Sequence, residues 1–513
     1  MPVDGLAVWF LEREARALLT RLDRVKPFAL QETMLPAAAL SPAALLGIER
    51  FLVDGRRSLR RQIREYIGWL RGAGRLVSPE QQQRGFTILR LRFNLALTQL
   101  DLFSDVVTQR SEHETGVWLS GLDVAAQDAL RLRGGYLRPL PIVCHLHRGM
   151  GGAIRRARTR LPGGGSNPVG IVRIPRERMI GFGIASSLVH EVGHQGAALL
   201  GLVPSLRPVI RQAGAAASGH QAAAWRLWEL WVSEIVADLW SIARVGVAST
   251  MGLMGLVSLP RAFLFRVTPG DPHPAPWIRV QLSCAIGQAL YPDHQWRRIA
   301  GLWSRLYPVD GLRPEQLATI GGLMGTMPAF VELLLGHRPP SLRGRTLGEV
   351  LRLPDREPQR LEALYRAWQA DPRTMQRTAP SLAFAVTGQA RARGLLSPEG
   401  EDRILGRMIT FWALDSTMRD TARSAAAADP RLRTPAAMPF GGVDPEPWRV
   451  GAPRPWTAAV TRAQARGGRR APDPRTQRTI GVGAWRRASQ PGLPRPVSRA
   501  RGRPLVTAGQ RRR

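Results

Sequence analysis

His190-Glu191-Val192-Gly193-His194, followed forty residues later by Glu234-Ile235-Val236-Ala237-Asp238, carries the residue types and spacing of a zinc-hydrolase site. On a helix, residues i and i+4 share a face one turn apart, so the imidazoles of His190 and His194 can point at one ion. Glu191 then sits beside the open coordination position, where it can take a proton from an activated water and pass it to a leaving amine. A hydrolytic zinc needs a third protein ligand and a position left for water. The spacing predicts a helix over 222–245, and Leu227, Leu230 and Trp231 lie seven, four and three residues before Glu234 on its face. A carboxylate among such neighbours is costly unless it is paired or metal-bound, which makes Glu234 the candidate ligand. Asp238, one turn further on, is placed to accept the second N–H of a ligating histidine and hold its tautomer.

A third segment follows, His273-Pro274-Ala275-Pro276-Trp277-Ile278-Arg279-Val280. HExxH, then E-x-x-A-D, then H-P-x-x-x-x-R-V resembles the gluzincin metallopeptidases of the HtpX-like and CAAX-prenyl-protease group. The resemblance implies one Zn2+ per chain on His190, His194 and Glu234, with Glu191 as catalytic base and acid. It also implies an oxyanion donor at His273 and supporting roles for Asp238 and Arg279, the arginine pairing with Asp238 or another carboxylate of the site. It covers roughly residues 165–285, about a quarter of the chain. The chain departs from that group in its membrane spans. Its longest uncharged apolar runs, 245–260 and 316–331, are near 16 residues, short of the ~20 that cross a bilayer. The metallopeptidase core is therefore what the resemblance implies, without a membrane-embedded substrate or an integral membrane anchor.

The segment before the zinc helix predicts a strand. Val169, Gly170, Ile171, Val172, Arg173 and Ile174 form a β-branched run between Pro168 and Pro175, after the turn-rich 161–166. In zincins an edge strand beside the metal takes the substrate as an added antiparallel strand, so these six residues are the candidate for peptide docking, an ordinary sheet strand being the alternative. Cys144-His145-Leu146-His147 puts two histidines on one side of a possible strand, as a second metal site or part of the cleft wall. Tyr291 is a second oxyanion donor if His273 points elsewhere.

Around these motifs the chain reads as a predominantly α member of the α+β class: a zincin-like core with a small sheet, flanked by helical regions. The expected divisions are an N-terminal helical region over 1–139, the gluzincin-like core over 140–300, a helical region over 301–429 that can cap the cleft, and a tail over 430–513. Segments 42–76 and 78–109 carry apolar residues at helical spacing and predict a packed helical pair. The tail holds 19 arginines against Asp444, Glu446 and Asp473, with 13 prolines and 10 glycines; it predicts disorder, and binding to a nucleic acid or another polyanion, or else an inert tail. No basic stretch precedes the apolar residues at the N-terminus, and two cysteines supply no disulfide framework, so a cytoplasmic protein is expected. The expected function is hydrolysis of a protein or peptide substrate. The alternative is a non-catalytic helical scaffold with a structural zinc, its basic tail docking a polyanion.

Overall fold

Prolines and short polar caps fix where many of the helices begin. Among the described residues seven α-helices open on proline, at positions 42, 79, 276, 314, 358, 380 and 398, where its missing N–H would be unbonded in any case. The computed structural model describes residues 3–25, 28–147, 152–161, 165–179 and 181–428; the tail expected over 430–513 lies outside them. The first helices are α1 (Val3–Arg24), α2 (Pro42–Arg71) and α3 (Pro79–Thr108). Ser78 accepts from Gln81 N–H while the Gln81 side chain accepts from Ser78 N–H, both at 3.3 Å, a reciprocal cap that starts α3. The expected pair is present, and α1 completes it. Leu11, Ala15, Leu18 and Leu22 of α1 share a core with Ile63 and Ile67 of α2 and Phe86, Leu89 and Phe93 of α3.

Helix α4 (His113–Leu130) leads into a three-stranded sheet of β1 (Ile142–His147), β2 (Ala153–Arg155) and β3 (Gly170–Pro175), in the order β1-β3-β2. Strand β3 runs parallel to β1, with Ile142 opposite Gly170, and antiparallel to β2, with Ile154 opposite Val172. Ile142, Cys144, Leu146, Val172 and Ile174 face the main core; Val143, Val169 and Ile171 face a second core with Ile48, Leu52 and Phe103. With both faces covered, β1 and β3 are buried at nearly every position. The edges differ. Along β1, Asp123 accepts from Cys144 N–H at 2.7 Å, and Gln109 accepts from Leu146 N–H at 2.8 Å and donates to Leu146 C=O at 2.9 Å, so side chains close that edge. This arrangement corrects the docking strand read from the sequence. Residues Val169 to Ile174 supply the central strand, bonded on both sides, and cannot accept a further one; the edge strand is β2.

The helices that follow are α5 (Gly181–Leu199), α6 (Leu202–Ala215), α7 (Gly219–Val245), α8 (Val247–Val257), α9 (Arg261–Leu264), α10 (Pro276–Leu290), α11 (His294–Leu306) and α12 (Pro314–Gly336). Helices α5 and α7 cross at backbone contact because two positions carry no side chain. A Cβ at Gly193 would lie 2.9 Å from Ala237 O and from Trp240 Cβ, and one at Gly196 would lie 2.5 Å from the Trp240 ring. Trp240 is fully buried, and its Nε1 donates to Ala129 C=O of α4 at 3.0 Å. Helix α12 extends the second apolar run read from the sequence to 23 residues, and among the described residues it is the one helix long and apolar enough to cross a membrane. It packs on α7: Trp228 Nε1 donates to Thr326 Oγ1 at 2.9 Å and the Trp228 ring stacks on Phe330.

The last elements, α13 (Leu347–Leu351), α14 (Pro358–Ala370), α15 (Arg373–Gln376), α16 (Pro380–Ala392) and α17 (Pro398–Ala428), brace this core rather than cap a cleft. Helix α17 lies on α4, where Gly121 meets Ile409, and buried Glu401 pairs with Arg391 at 2.5 Å beside Gly181 at the start of α5. The chain is thus predominantly helical with one small sheet.

The α5–α7 crossing predicts a cost at Gly193 that Gly255, outside it on α8, does not share. Gly193→Val is expected to destabilise by about 1–3 kcal/mol through overpacking. Gly255→Ala, whose Cβ would enter open space, is expected to be neutral or to stabilise by up to about 1 kcal/mol through helix propensity. Denaturant unfolding of both variants tests the pair; equal effects would contradict the crossing.

Candidate metal centre

Because α5 and α7 touch at Gly193 and Ala237, the polar residues one turn away on each helix are forced together. His190 Nε2 lies 3.3 Å from Glu234 Oε2 and His194 Nε2 lies 3.4 Å from Glu234 Oε1. The two imidazoles meet edge to face, with ring centroids 4.8 Å apart. One ligand atom from each of His190, His194 and Glu234 lies within 4.8 Å of the others, and among the described residues these are the three that form such a cluster. Two imidazole nitrogens and a carboxylate oxygen form a donor set suited to zinc.

Behind the cluster stands a buried ion pair. Arg279 at the start of α10 donates from Nε to Asp238 Oδ2 at 2.7 Å and from Nη2 to Asp238 Oδ1 at 2.9 Å, and its Nη2 also approaches Glu234 Oε2 at 3.6 Å. Such a two-point pair fixes the plane of the carboxylate. His190 Nδ1 sits 2.8 Å from Asp238 Oδ1, off the straight line of its N–H bond. The contact sets the ring so that Nε2 faces Glu234 and Nδ1 faces Asp238.

The charges compensate one another against burial. Burial alone would raise the Asp238 carboxyl, but Arg279 and His190 hold it at about 2. Glu234 is likewise raised by burial and brought well below the usual carboxylate range by His190 and His194. Burial disfavours a charged His190, yet Asp238 and Glu234 on either side raise it to about 9. Glu191 differs: burial pushes its carboxyl up, the nearby imidazoles only partly opposing.

The cluster lines a cleft of about 440 Å³. One wall is Gly152, Ala153, Ile154 and Arg156, at and beside β2; Ser186, Ser187 and Glu191 come from α5, and Leu253 and Leu256 from α8. Glu191 reaches toward β2, where a Cβ on Gly152 would lie 2.8 Å from its Oε1. His273 stands at the rim, more than half exposed, with Nε2 3.6 Å from Glu234 Oε2. Asp271, which the motif analysis missed, accepts from His273 N–H at 3.0 Å and lies 2.8 Å from His273 Nδ1. The acid two residues before the histidine was the available signal.

All seven residues expected at the centre are therefore together: His190, Glu191, His194, Glu234, Asp238, His273 and Arg279. Other candidates are elsewhere. Tyr291 is fully buried, donates to Ala243 C=O at 2.8 Å and accepts from Leu353 N–H at 3.1 Å, so it is a packing residue and no oxyanion donor. His145 and His147 alternate with Cys144 and Leu146 along β1 and thus lie on the sheet face turned away from α5; they neither line the cleft nor join a second cluster among the described residues. No protein family, curated protein or solved structure matches this chain.

Two outcomes follow from the charge arrangement. Since His190 holds a proton up to about pH 9, zinc uptake at pH 7 is expected to release about one proton, and its apparent affinity to rise with pH until about 9. Calorimetric titration in buffers of different ionisation enthalpy reads this directly; uptake without proton release would refute it. Asp238→Asn is expected to weaken zinc binding by roughly 10–100-fold.

Proposed function

We propose that this chain is a zinc-dependent metallopeptidase of the gluzincin type. The observation that carries the reading is the convergence of His190, His194 and Glu234 on one point of an open cleft, with Glu191 beside it. A zinc ion held by these three side chains would supply Lewis acidity, activating water at neutral pH and polarising a peptide carbonyl.

The remaining roles belong to the chain. Glu191 faces the cleft with a carboxyl raised by burial, which suits a group that must accept a proton from water and return it to the leaving amine. Asp238 orients His190, and Arg279 orients Asp238, so the far pair acts through the ligand it positions. His273 reaches the centre from the opposite rim with Nδ1 turned to Asp271, and in its doubly protonated form it carries an N–H on Nε2 that can meet the oxygen of the attacked carbonyl. The outer edge of β2 opens on the same cleft, and an extended peptide can add to it as a further antiparallel strand, the part first assigned to 169–174. A structural zinc in a non-catalytic scaffold would want a fourth protein ligand and a closed shell; the cluster here has three, at the wall of a cleft.

The test separates proton transfer from metal binding. Glu191→Gln is expected to keep its zinc and to lose peptide cleavage by about 100-fold or more, whereas Glu234→Ala is expected to lose zinc more severely than Asp238→Asn does. Zinc content and cleavage of a mixed peptide library, measured on the same preparations, decide it. Full activity in the glutamine variant would remove Glu191 from the proposed role.

A further inference from the structure

The buried arginines of the metal cleft are taken up within the fold: Arg279 is bound to Asp238, and Arg178 donates to Ser187 Oγ at 2.6 Å and to Ser186 Oγ and Gly252 C=O at 2.8 Å. Residues on both sides of His273 line a second cavity, of about 400 Å³, the size of sites that hold a small molecule. Leu264, Phe265, Trp277 and Ile278 form one side and Ile320 and Leu323 of α12 the other, all but Ile320 buried. Their positions are fixed by contacts of their own. Phe265 and Trp277 meet with ring centroids 5.8 Å apart, Trp277 Nε1 donates to Tyr307 C=O at 3.0 Å, and Arg261 reaches from the Phe265 ring to Pro308 C=O and Asp310 C=O. The indole N–H is thereby used, and the other five side chains carry no hydrogen-bonding group. A ligand against these walls needs an apolar body.

Charge stands at the mouth. Arg266, Arg313 and Glu315 are the charged residues of the lining, and all three are exposed. Arg313 Nε is bonded to Gln316 Oε1 at 3.4 Å, whereas the Arg266 side chain has no hydrogen bond or ion pair among the described residues. Two guanidiniums against one carboxylate leave one positive charge in excess, which suits a ligand with a single acid group.

The cavity adjoins the metal centre along the chain. Val267 and Ala275 line the cavity, whereas His273 and Arg279 line the metal cleft. Residues 268–274 thus leave the cavity wall and return to it, carrying Asp271 and His273 between. Among the described residues every hydrogen bond of 268–274 falls inside the segment: Asp271 N–H donates to Thr268 C=O at 3.2 Å, and Asp271 Oδ1 meets His273 at its backbone N–H and its Nδ1. Pro269, Pro272 and Pro274 fix φ at three points along it. A stiff segment bonded within itself follows its two stems.

We propose that this cavity binds a medium-chain fatty acid, its acyl chain against Phe265, Trp277 and Leu323 and its carboxylate on Arg266, and that the bound acid braces both stems of 268–274 and so holds His273 at the metal centre. The binding stands by itself; its effect on turnover rests on the peptidase reading above. A peptide ending in an apolar residue offers the same carboxylate, but it carries amide groups that these walls leave without side-chain partners.

The test uses the full chain, metal-free and zinc-loaded, titrated calorimetrically with decanoate, decanol and acetyl-Leu-Leu below micelle formation. One decanoate per chain is expected in both forms. Arg266→Gln, at an exposed position, is expected to weaken decanoate roughly tenfold and leave decanol unchanged, since a charge-assisted hydrogen bond is lost. Ile320→Trp, which fills the cavity, is expected to abolish binding of both, with melting temperature recorded for each variant. In the zinc-loaded protein, saturating decanoate is expected to raise kcat/KM for a cleaved peptide about fivefold, at the lower end of coupling between two sites, and to leave it unchanged in Arg266→Gln and His273→Ala at the same concentration. Decanoate bound by the zinc-loaded form alone, or bound equally by both cavity variants, would place the acid on the metal or on other arginines and overturn the site. Tighter binding of acetyl-Leu-Leu than of decanoate at Arg266 would assign the cavity to peptide C-termini and overturn the acyl-chain assignment. Decanoate bound in the cavity with kcat/KM unmoved would overturn the link to His273. Decanoate bound there with no peptide cleaved would remove the peptidase reading and the link with it, and would uphold the fatty-acid site.

Discussion

Everything at the centre depends on the crossing of two helices at their backbones. Gly193 and Gly196 let α5 settle on Ala237 and Trp240 of α7, and that closeness leaves the polar residues one turn away no room to avoid each other. His190 and His194 are pressed against Glu234 and Asp238 inside a core otherwise built of Trp228, Trp231, Ile235 and Trp240. Unpaired carboxylates there would carry a desolvation cost that a domain of ordinary stability could not absorb. The core therefore requires cations among the acids, and it has one in Arg279 and, under the proposed function, another in a metal ion.

That requirement explains why the centre was legible in the sequence. A five-residue motif fixes both histidines on one helical face, and a glutamate among tryptophans and leucines advertises a buried charge that needs a partner. The helices before the sheet were equally readable, since 42–76 and 78–109 alternate apolar and polar residues at helical spacing and begin at Ser-Pro caps.

Strand order was not readable in the same way. The run Val169 to Ile174 is apolar at nearly every position, the mark of a strand covered on both faces, but nothing in it says which neighbours it bonds. Those are decided by β1, closed by Asp123 and Gln109 from separate helices, and by β2, only three residues long. The cluster of Arg178, Ser186 and Gly252 was hidden for a related reason: its members are joined by tertiary contact, with no spacing to reveal them. Tyr291 shows the converse. Its position after the third motif suggested chemistry, whereas its hydroxyl serves Ala243 and Leu353 within the core.

The most direct test of the central claim is anomalous diffraction from crystals soaked in zinc, recorded on both sides of the zinc absorption edge. The account predicts a single strong peak within bonding distance of His190 Nε2, His194 Nε2 and a Glu234 carboxylate oxygen, with its remaining coordination turned to the cleft beside Glu191. A peak at another site, a fourth protein ligand closing the shell, or no peak at all in zinc-saturated crystals would contradict it.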